Sequence, residues 1–200
     1  MLLPNSENIF PYKKLNIPRV SQGDVFRDIE LLEGLIEGSE DLTVVSRKIP
    51  YLVVVSQDCD LEHDFNNRSN PDSKNHDKYL QNILYLPAFV SESVKEGSHF
   101  ASFHLKMESW ASDPWRKIKS NQNYRFHYLV HWKQLQIPEL IIDFKHYGTI
   151  SRDLLYRQEN KEKYLGTIAE LFRENLSSRF AFYLSRVALP ELPSSIQQVG

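Results

Sequence analysis

The chain has 200 residues, a formal net charge of −2, 41% hydrophobic and 25% charged residues, and one cysteine. Its length suits one domain, and its apolar fraction is sufficient for a hydrophobic core, which argues against a long disordered chain. One cysteine excludes an internal disulfide, and the chain shows neither an apolar leader nor a run of 18 apolar residues. We therefore expect a soluble cytoplasmic protein that does not enter a membrane, with no overall electrostatic attraction to nucleic acid.

The first 150 residues are predicted to be rich in β-strands. Residues 1–18 contain three prolines and no hydrophobic period, which predicts an irregular N-terminal arm. Residues 19–150 then predict a β-rich domain of about five to seven strands. The clearest strand is YLVVVSQ at 51–57, because a continuous hydrophobic run is typical of a strand buried on both faces.

Two later segments depart from the strand pattern. Residues 65–78, with the sequence FNNRSNPDSKNHDK, hold almost no apolar side chain and predict a long mobile loop. Apolar residues then recur at helical spacing from about 161 to 187, which predicts a helical element within 151–190 and a tail at 191–200. We expect the apolar face of this helix, including Phe172 and Phe180, to pack on the sheet.

Strands in a run followed by helices indicate an α+β fold. Two architectures fit this order of elements. One is a small SH3-like β-barrel, and the other is a strongly twisted antiparallel sheet, each with the long C-terminal helix packed on it.

The first half of the chain carries four short motifs in a recognisable order: QGDVF at 22–26, GSED at 38–41, RKIPYLVVVS at 47–56 and YLPAFVS at 85–91. In this order they resemble the PemK/MazF family of SH3-like barrel toxins from toxin–antitoxin systems. Members of that family are ribonucleases that use an arginine near the Gly-Ser-Glu loop and a threonine after the proline of the later strand. The resemblance implies Arg47 as the catalytic arginine, whereas Ala88 and Phe89 stand where the threonine is expected.

A second resemblance extends over more of the chain. The hydrophobic strand that ends in Ser-Gln-x-Cys-Asp at 56–60 is similar to a strand end in bacterial proteins of uncharacterised function. The C-terminal segments IIDFKHYGTISRDLL and LFRENLSSRFAFYLSRVALP resemble the tails of the same proteins. This resemblance implies no activity.

The segment SQDCDLEHD at 56–64 places the cysteine beside a histidine and several carboxylates. Zinc, or magnesium or manganese, could be held within Asp58–Asp64 by the candidate ligands Cys59, Asp60, His63 and Asp64. The alternative is a strand end in which Asp58 or Asp60 caps the following turn and Cys59 packs inward, shielded from solvent. Because no second cysteine or clear histidine pair lies nearby, we expect no cofactor.

A second candidate site lies in the stretch WRKIKSNQNYRFHYLVHWK at 115–133, where cations alternate with aromatic residues. Such a pattern suits a groove for single-stranded nucleic acid, in which cations neutralise phosphates and bases stack on rings. The alternative is a half-buried sheet with a basic face. The candidate contact residues are Trp115, Arg116, Lys117, Lys119, Arg125 and Trp132.

Two functional hypotheses from different classes remain open. The first is a non-enzymatic binding or scaffold protein of a bacterial toxin-related or defence system, with a protein partner or a second copy of the chain as its ligand. The second is a metal-dependent or toxin-like endoribonuclease acting on single-stranded RNA. On the C-terminal helix, Arg179 and Arg186 could clamp a carboxylate on the sheet, such as Asp143, or an acidic group of a partner.

Overall fold

The computed structural model describes residues 10–37, 42–101 and 105–186. Over these ranges the chain has an α+β fold, as the sequence predicts, with one antiparallel sheet. The strands are β1 (Tyr12–Lys13), β2 (Asp24–Glu37), β3 (Leu42–Val54), β4 (Asn82–Val90), β5 (Phe126–Leu129), β6 (Leu140–Asp143), β7 (Gly148–Ser151) and β8 (Tyr164–Ile168). The α-helices are α1 (Asp58–Arg68), α2 (Ser91–Glu96), α3 (Ser112–Lys119), α4 (Arg152–Leu155), α5 (Gln158–Lys161) and α6 (Glu170–Leu184).

Several predicted features lie outside the described residues. They are the first nine residues of the N-terminal arm, the GSED motif at 38–41, the predicted end of the C-terminal helix beyond residue 186, and the tail at 191–200. Within the described part of the chain, no helix is both long and apolar enough to cross a membrane.

The sheet is open. Its strands follow the order β1-β8-β2-β3-β4-β6-β5, and β7 pairs with β4 outside this path. All of the pairings are antiparallel. In the described ranges, the edge strands β1 and β5 do not pair with each other. An open antiparallel sheet, and not a closed SH3-like barrel, is therefore the observed architecture.

Side chains cap the backbone at the β5 edge. Asn121 donates its side-chain N–H to the carbonyl oxygen of Tyr128 at 3.3 Å and accepts the Tyr128 backbone N–H at 2.7 Å. Arg179 donates to the carbonyl oxygen of Phe126 at 2.9 Å. Edge groups satisfied by side chains are closed to pairing with another strand, which gives a physical reason for the sheet to end at β5.

Strand β4 is central, and Pro87 divides its outer side. Tyr51–Val54 of β3 pair with one side of β4. On the other side, β7 pairs with Asn82–Tyr85 and β6 pairs with Ala88–Val90. Proline has no backbone N–H, so β4 cannot complete a hydrogen-bond ladder with a strand on each side at Pro87. At this point on the outer side of β4, between the residues that pair with β6 and those that pair with β7, the chain forms a short 3₁₀ helix, Phe144–His146.

The two faces of the sheet bury separate hydrophobic clusters. On one face α6 contributes Leu176 and Phe180 to the cluster formed by residues such as Val53. On the other face α1 contributes Leu61 and α4 contributes Leu155. Because successive strand residues point to opposite faces, the continuous run at 51–55 supplies both clusters, as its hydrophobicity predicts.

The C-terminal segment differs from the predicted continuous helix. Tyr164–Ile168 form β8, and the helix α6 begins only at Glu170. Leu165 and Ile168 belong to the cluster under α6, while the ring of Tyr164 packs against the cluster on the opposite face. A strand that is buried on both faces lacks the alternation of polar and apolar residues by which strands are recognised. The apolar residues of β8 therefore also fitted a helical spacing.

The segment predicted as a mobile loop is partly helical. Helix α1 runs through its first residues to Arg68, and a 3₁₀ helix occupies His76–Lys78. The intervening residues 69–75 form turns and have mostly exposed side chains. The helix has little hydrophobic periodicity in its sequence, since it buries only Leu61 and Asp64.

Candidate functional site

Two adjacent cavities lie side by side on the sheet. Their volumes are about 770 Å³ and about 470 Å³, and Arg47, Tyr85 and Thr149 line both of them. We call the combined depression the Arg47 groove. It contains the residue that the family resemblance implies as catalytic, together with two residues that the sequence did not single out.

Neighbouring strands bring the three shared residues together. Arg47 lies in β3, two residues before the buried Ile49, Tyr85 lies in β4, and Thr149 lies in β7. Tyr85 is directly paired with Gly148. A Cβ atom at Gly148 would lie 2.8 Å from the Tyr85 hydroxyl oxygen and 3.0 Å from Cζ of its ring. Gly148 therefore leaves the space that the Tyr85 ring occupies at the junction of the two cavities.

The smaller cavity has a basic character. Arg47, Lys145 and His146 line it, and none of its described lining residues is acidic. Burial lowers the pKa of His146, as do the neighbouring cations, which include Lys145 and Arg47. Asp143 opposes this effect from 3.8 Å away, measured from His146 Nε2. His146 is therefore a neutral imidazole near pH 7 in a positively charged cavity.

The larger cavity carries charges of both signs. Its lining includes Arg157 as well as the carboxylates of Glu30, Asp153 and Glu159. Arg157 Nη1 lies 3.9 Å from Oε1 of Glu159 on an exposed surface, so this pair is weak. The groove thus has one basic end and one mixed end.

The segment with the predicted metal ligands begins helix α1 and does not continue as a strand end. Asp58 accepts hydrogen bonds from both terminal nitrogens of Arg19 at 3.0 Å and from the Gln22 backbone N–H at 3.1 Å. Cys59 is exposed, contrary to the predicted inward packing. Its Sγ lies 3.7 Å from Oε1 of Gln57 and 3.8 Å from Oδ1 of Asp60. Helix geometry exposes Cys59 because Leu61 takes the buried side.

Asp64 is separated from the other three candidate ligands. It is buried, whereas Cys59, Asp60 and His63 are exposed on the helix. Asp64 accepts hydrogen bonds from Arg68 Nε at 2.7 Å, from Arg152 Nε at 2.8 Å and from the Leu80 backbone N–H at 2.9 Å. Burial alone would raise its pKa, but these donors outweigh burial and lower it. Among the described residues, no group of three or more His, Cys, Asp or Glu side chains is arranged to hold a metal.

The predicted nucleic-acid stretch is divided among several environments. Its aromatic members separate, because Trp115 packs in the cluster with Phe126 while Trp132 packs on the cluster under α6. Its inner cations are paired, Lys119 with Glu139 and Arg125 with Asp143. Arg116 and Lys117 are exposed on α3, and Arg116 pairs with Asp113.

Asp143 is bound by Arg125, directly before β5, and not by the predicted arginines of the C-terminal segment. Arg125 forms two hydrogen bonds to it, from Nε at 2.8 Å and from Nη2 at 2.6 Å. Arg179 instead donates to His127 Nδ1 at 3.1 Å and to backbone carbonyl oxygens before and within β5. Arg186 stacks on the ring of Tyr124, with 3.8 Å from Cζ to the ring centroid. The predicted clamp of Asp143 is therefore wrong for both Arg179 and Arg186, and a contact of either with a partner's acidic group stays a prediction.

The fold and the groove define an α+β protein with an open antiparallel sheet and a basic surface depression. No protein-family model matches the chain, and a search of curated proteins finds no relative.

The sequence identified Arg47 but missed Tyr85, Lys145, His146 and Thr149. The latter residues lie in β4, in β7 or in the 3₁₀ helix before β7, and they line the same cavities as Arg47. The one local signal was the sequence KHYGT at 145–149, where a glycine follows a cation, an imidazole and a ring.

Proposed function

We propose that the protein binds single-stranded RNA, with the Arg47 groove as the binding surface. The observation that carries the proposal is the lining of the smaller cavity, where Arg47, Lys145 and His146 lie together with the exposed ring of Tyr147. Cations that neutralise phosphates and rings on which bases stack are the two components of a single-strand site.

The exposed groups of the groove suit this ligand. Tyr147 is 47% exposed at the basic end, so part of its ring is available to a base. Stacking on such a ring contributes about 1–3 kcal/mol per base in single-strand sites. The cations Arg47, Lys145 and Arg157 spread along the groove, in keeping with a ligand that carries phosphates at intervals.

The chain has a net charge of −2, so the attraction must be local and modest. Contacts from about three cations to a single strand predict a slope of log K against log salt of about −2. A binding protein of this kind, with RNA in place of a protein partner, fits the hypothesis of a non-enzymatic component of a bacterial toxin-related or defence system. A relation to the PemK/MazF toxins belongs to this proposal and is supported by the four short motifs of the sequence, and the cytoplasmic location belongs to it on the ground of the single cysteine.

Fluorescence anisotropy tests the proposal with an end-labelled single-stranded RNA of about twelve nucleotides, a length within the range that single-strand sites cover. We expect saturable binding at low salt that weakens as salt is raised. Replacing both Arg47 and Lys145 by alanine should raise Kd about tenfold or more, because two phosphate contacts are lost. The matched control replaces Arg116 and Lys117, exposed on α3, and should change Kd less than about twofold.

Three results would contradict this proposal. Absence of binding at low salt would exclude the RNA ligand, and a Kd unchanged in the Arg47 and Lys145 variant would exclude the groove. A larger loss from Arg116 and Lys117 would instead favour the surface predicted from the sequence at 115–133. The variant Gly148→Ala adds a steric test, because its Cβ displaces the Tyr85 ring without removing a charge.

A second candidate function, cleavage of the bound RNA, is favoured by the position of His146. Its neutral imidazole lines the same cavity as Arg47 and Lys145. A neutral histidine can accept a proton from a ribose 2′-hydroxyl, and the two cations can stabilise charge that develops on the phosphate. RNA incubated with the protein in excess chelator tests for metal-independent cleavage. We expect any such cleavage to be lost in His146→Gln while RNA binding is retained, and cleavage that survives this change would exclude the role of His146.

A further inference from the structure

A third cavity, separate from the Arg47 groove, lies beneath the N-terminal segment 14–20. Its volume is about 450 Å³, and it shares no lining residue with either cavity of the groove. Asp24 and Phe26 of β2, Tyr164 of β8 and Tyr156 after α4 line it. We call it the Asp24 cavity. Its size is within the range of small-molecule sites, and its lining combines apolar walls with a few polar groups, as such sites do.

Asp24 is a buried carboxylate, and the described cations Arg19 and Lys14 act on it electrostatically without forming a salt bridge to it. Only 4% of the residue is exposed. It accepts a hydrogen bond from the Thr167 hydroxyl at 2.5 Å and one from the Ser21 backbone N–H at 2.8 Å. No salt bridge to Asp24 is formed within the described part of the chain. An ionised carboxylate can accept about four hydrogen bonds, so Asp24 has unused acceptor capacity beside a cavity.

Burial is costly for this carboxylate. It raises the pKa of Asp24 to about 6, and the hydrogen bond from Thr167 offsets only part of the effect. A carboxylate that is hard to ionise in a cavity is a common mark of a binding site, because an added N–H donor would stabilise its charge.

Aromatic residues form the middle layer of the cavity. The rings of Phe26 and Tyr164 pack with 5.7 Å between their centroids. The Tyr164 hydroxyl is 2.7 Å from Thr167 Oγ1, which connects the ring to the Asp24 network. The Tyr156 hydroxyl accepts the backbone N–H of Val20 at 3.0 Å and keeps its own O–H as a donor. These groups suit a flat ring that carries both hydrogen-bond donors and acceptors.

Charged residues, most of them cations, occupy the outer layer. Lys14 and Lys161 are exposed residues of the lining, Arg19 is partly exposed, and Glu162 is an exposed carboxylate beside Lys161. Lys14 Nζ donates to the carbonyl oxygens of residues 164 and 165 and lies 4.2 Å from the centroid of the Tyr164 ring. Arg19 is bound to Asp58. Lys161 forms no ion pair with any described residue and remains the cation best placed to meet an anionic group.

We propose that the Asp24 cavity is a binding site for a mononucleotide, with guanine as its base. Asp24 is buried and Lys161 is exposed in the lining of the same cavity, with the aromatic rings beside them, which suits a base at the carboxylate and a phosphate at the lysine. An N–H of the base donates to Asp24, the base lies against the aromatic layer, and the phosphate meets Lys161. Guanine is selected because its pairing edge presents two adjacent N–H donors, whereas adenine presents one beside an acceptor.

Calorimetric titration of the whole chain with GMP, guanosine and AMP tests this site. We expect GMP to bind, guanosine to bind about tenfold more weakly because it lacks the phosphate, and AMP to bind weakest because its pairing edge meets the carboxylate poorly. Lys161→Glu should weaken GMP binding about tenfold and leave guanosine binding nearly unchanged. Lys117→Glu is the matched control on α3 and should alter neither.

Two further variants separate the site from its alternatives. Asp24→Asn should weaken GMP and guanosine alike, with its folding checked by thermal unfolding. If that variant does not fold, the comparison of GMP with guanosine in Lys161→Glu still tests the site. Arg47→Ala should leave GMP binding intact, since it belongs to the separate groove. No saturable GMP binding at millimolar concentration, equal binding of AMP and GMP, or loss of GMP binding in Arg47→Ala would each overturn the proposal.

Discussion

At the scale of single residues, His99 is a buried polar side chain whose burial is poorly compensated by the described residues around it. It is 6% exposed, and within the described part of the chain neither ring nitrogen has a hydrogen-bond partner. Its neighbours are aromatic, with ring centroids 5.0 Å away in Phe89 and 4.1 Å away in Phe100. Burial lowers its pKa to about 4, so the folded protein holds it neutral. Such a residue lowers stability, because both nitrogens lose their hydrogen bonds to water.

Replacing His99 by phenylalanine should therefore stabilise the fold. At pH 7.5 we expect a gain of about 1 kcal/mol or more from removal of the unsatisfied nitrogens. The gain should grow as pH falls from about 6.5 to about 4, because the unfolded histidine takes up a proton in this window and the folded one does not. The full difference in pKa corresponds to roughly 3 kcal/mol at the acidic end. Urea unfolding at several pH values measures this.

The control for His99 is His63→Phe, at an exposed position on α1. The change in the free energy of unfolding caused by His63→Phe should not grow as that of His99→Phe does when the pH is lowered. A loss of stability in His99→Phe at neutral pH would mean that the imidazole has a hydrogen-bonding role in the fold.

At the scale of elements, helix α6 is buried along a narrow stripe. Leu176 is fully buried and Phe180 is 6% exposed, and both pack on the sheet. Phe172 is 37% exposed, and Leu171 and Phe182 are more exposed still. The predicted burial of Phe180 is confirmed, and that of Phe172 is wrong. The helix begins only at Glu170, so Phe172 lies in its first turn, away from the centre of the contact.

Two alanine substitutions distinguish the buried stripe from the exposed face. Phe180→Ala should cost about 3–5 kcal/mol, because it leaves a cavity beside Phe144, whose ring centroid is 5.6 Å away. Phe172→Ala should cost less than about 1 kcal/mol, because its side chain is partly in solvent. Chemical denaturation measures both. Equal losses from the two variants would show that α6 packs on the sheet through a different face.

At the scale of the whole molecule, Asp64 connects three parts of the chain on one face of the sheet. Its hydrogen-bond donors come from α1, from the segment before β4 and from α4. Arg152 also stacks on Tyr156, with 3.8 Å from its Cζ to the ring centroid. A buried carboxylate held by two guanidinium groups and a backbone N–H joins elements that are distant in sequence.

Asp64→Asn should be strongly destabilising, by about 3–5 kcal/mol, because it leaves two partly buried arginines without their anion. Because the folded state lowers the pKa of Asp64, the stability that it supplies is present above its ordinary pKa and is lost in acid. Thermal unfolding near neutral pH measures the effect, and Asp60→Asn on the exposed side of α1 is the control.

A transition of the wild-type protein that shifts when a chelator is added would instead indicate a metal within Asp58–Asp64.

The strands and their class could be predicted because local patterns carry that information. The hydrophobic run at 51–55 indicates a strand buried on both faces, and its residues do supply both clusters. Pro87 could be expected to disturb a strand, and it lies where β4 changes partners. These features depend on a few consecutive residues, so the sequence alone determines them.

Tertiary structure decided the remaining features, because they depend on which residues become neighbours across the sheet. Burial on both sides made Tyr164–Ile168 a strand within an apparently helical period. The neighbouring positions of β3, β4 and β7 in the sheet let Arg47, Tyr85 and Thr149 line one groove, although they come from three separate strands. Asp143 could have paired with a helix arginine or with Arg125, and the adjacent pairing of β5 with β6 selected Arg125. Residue types determine which chemistry is available, and strand pairing determines which groups share a cavity.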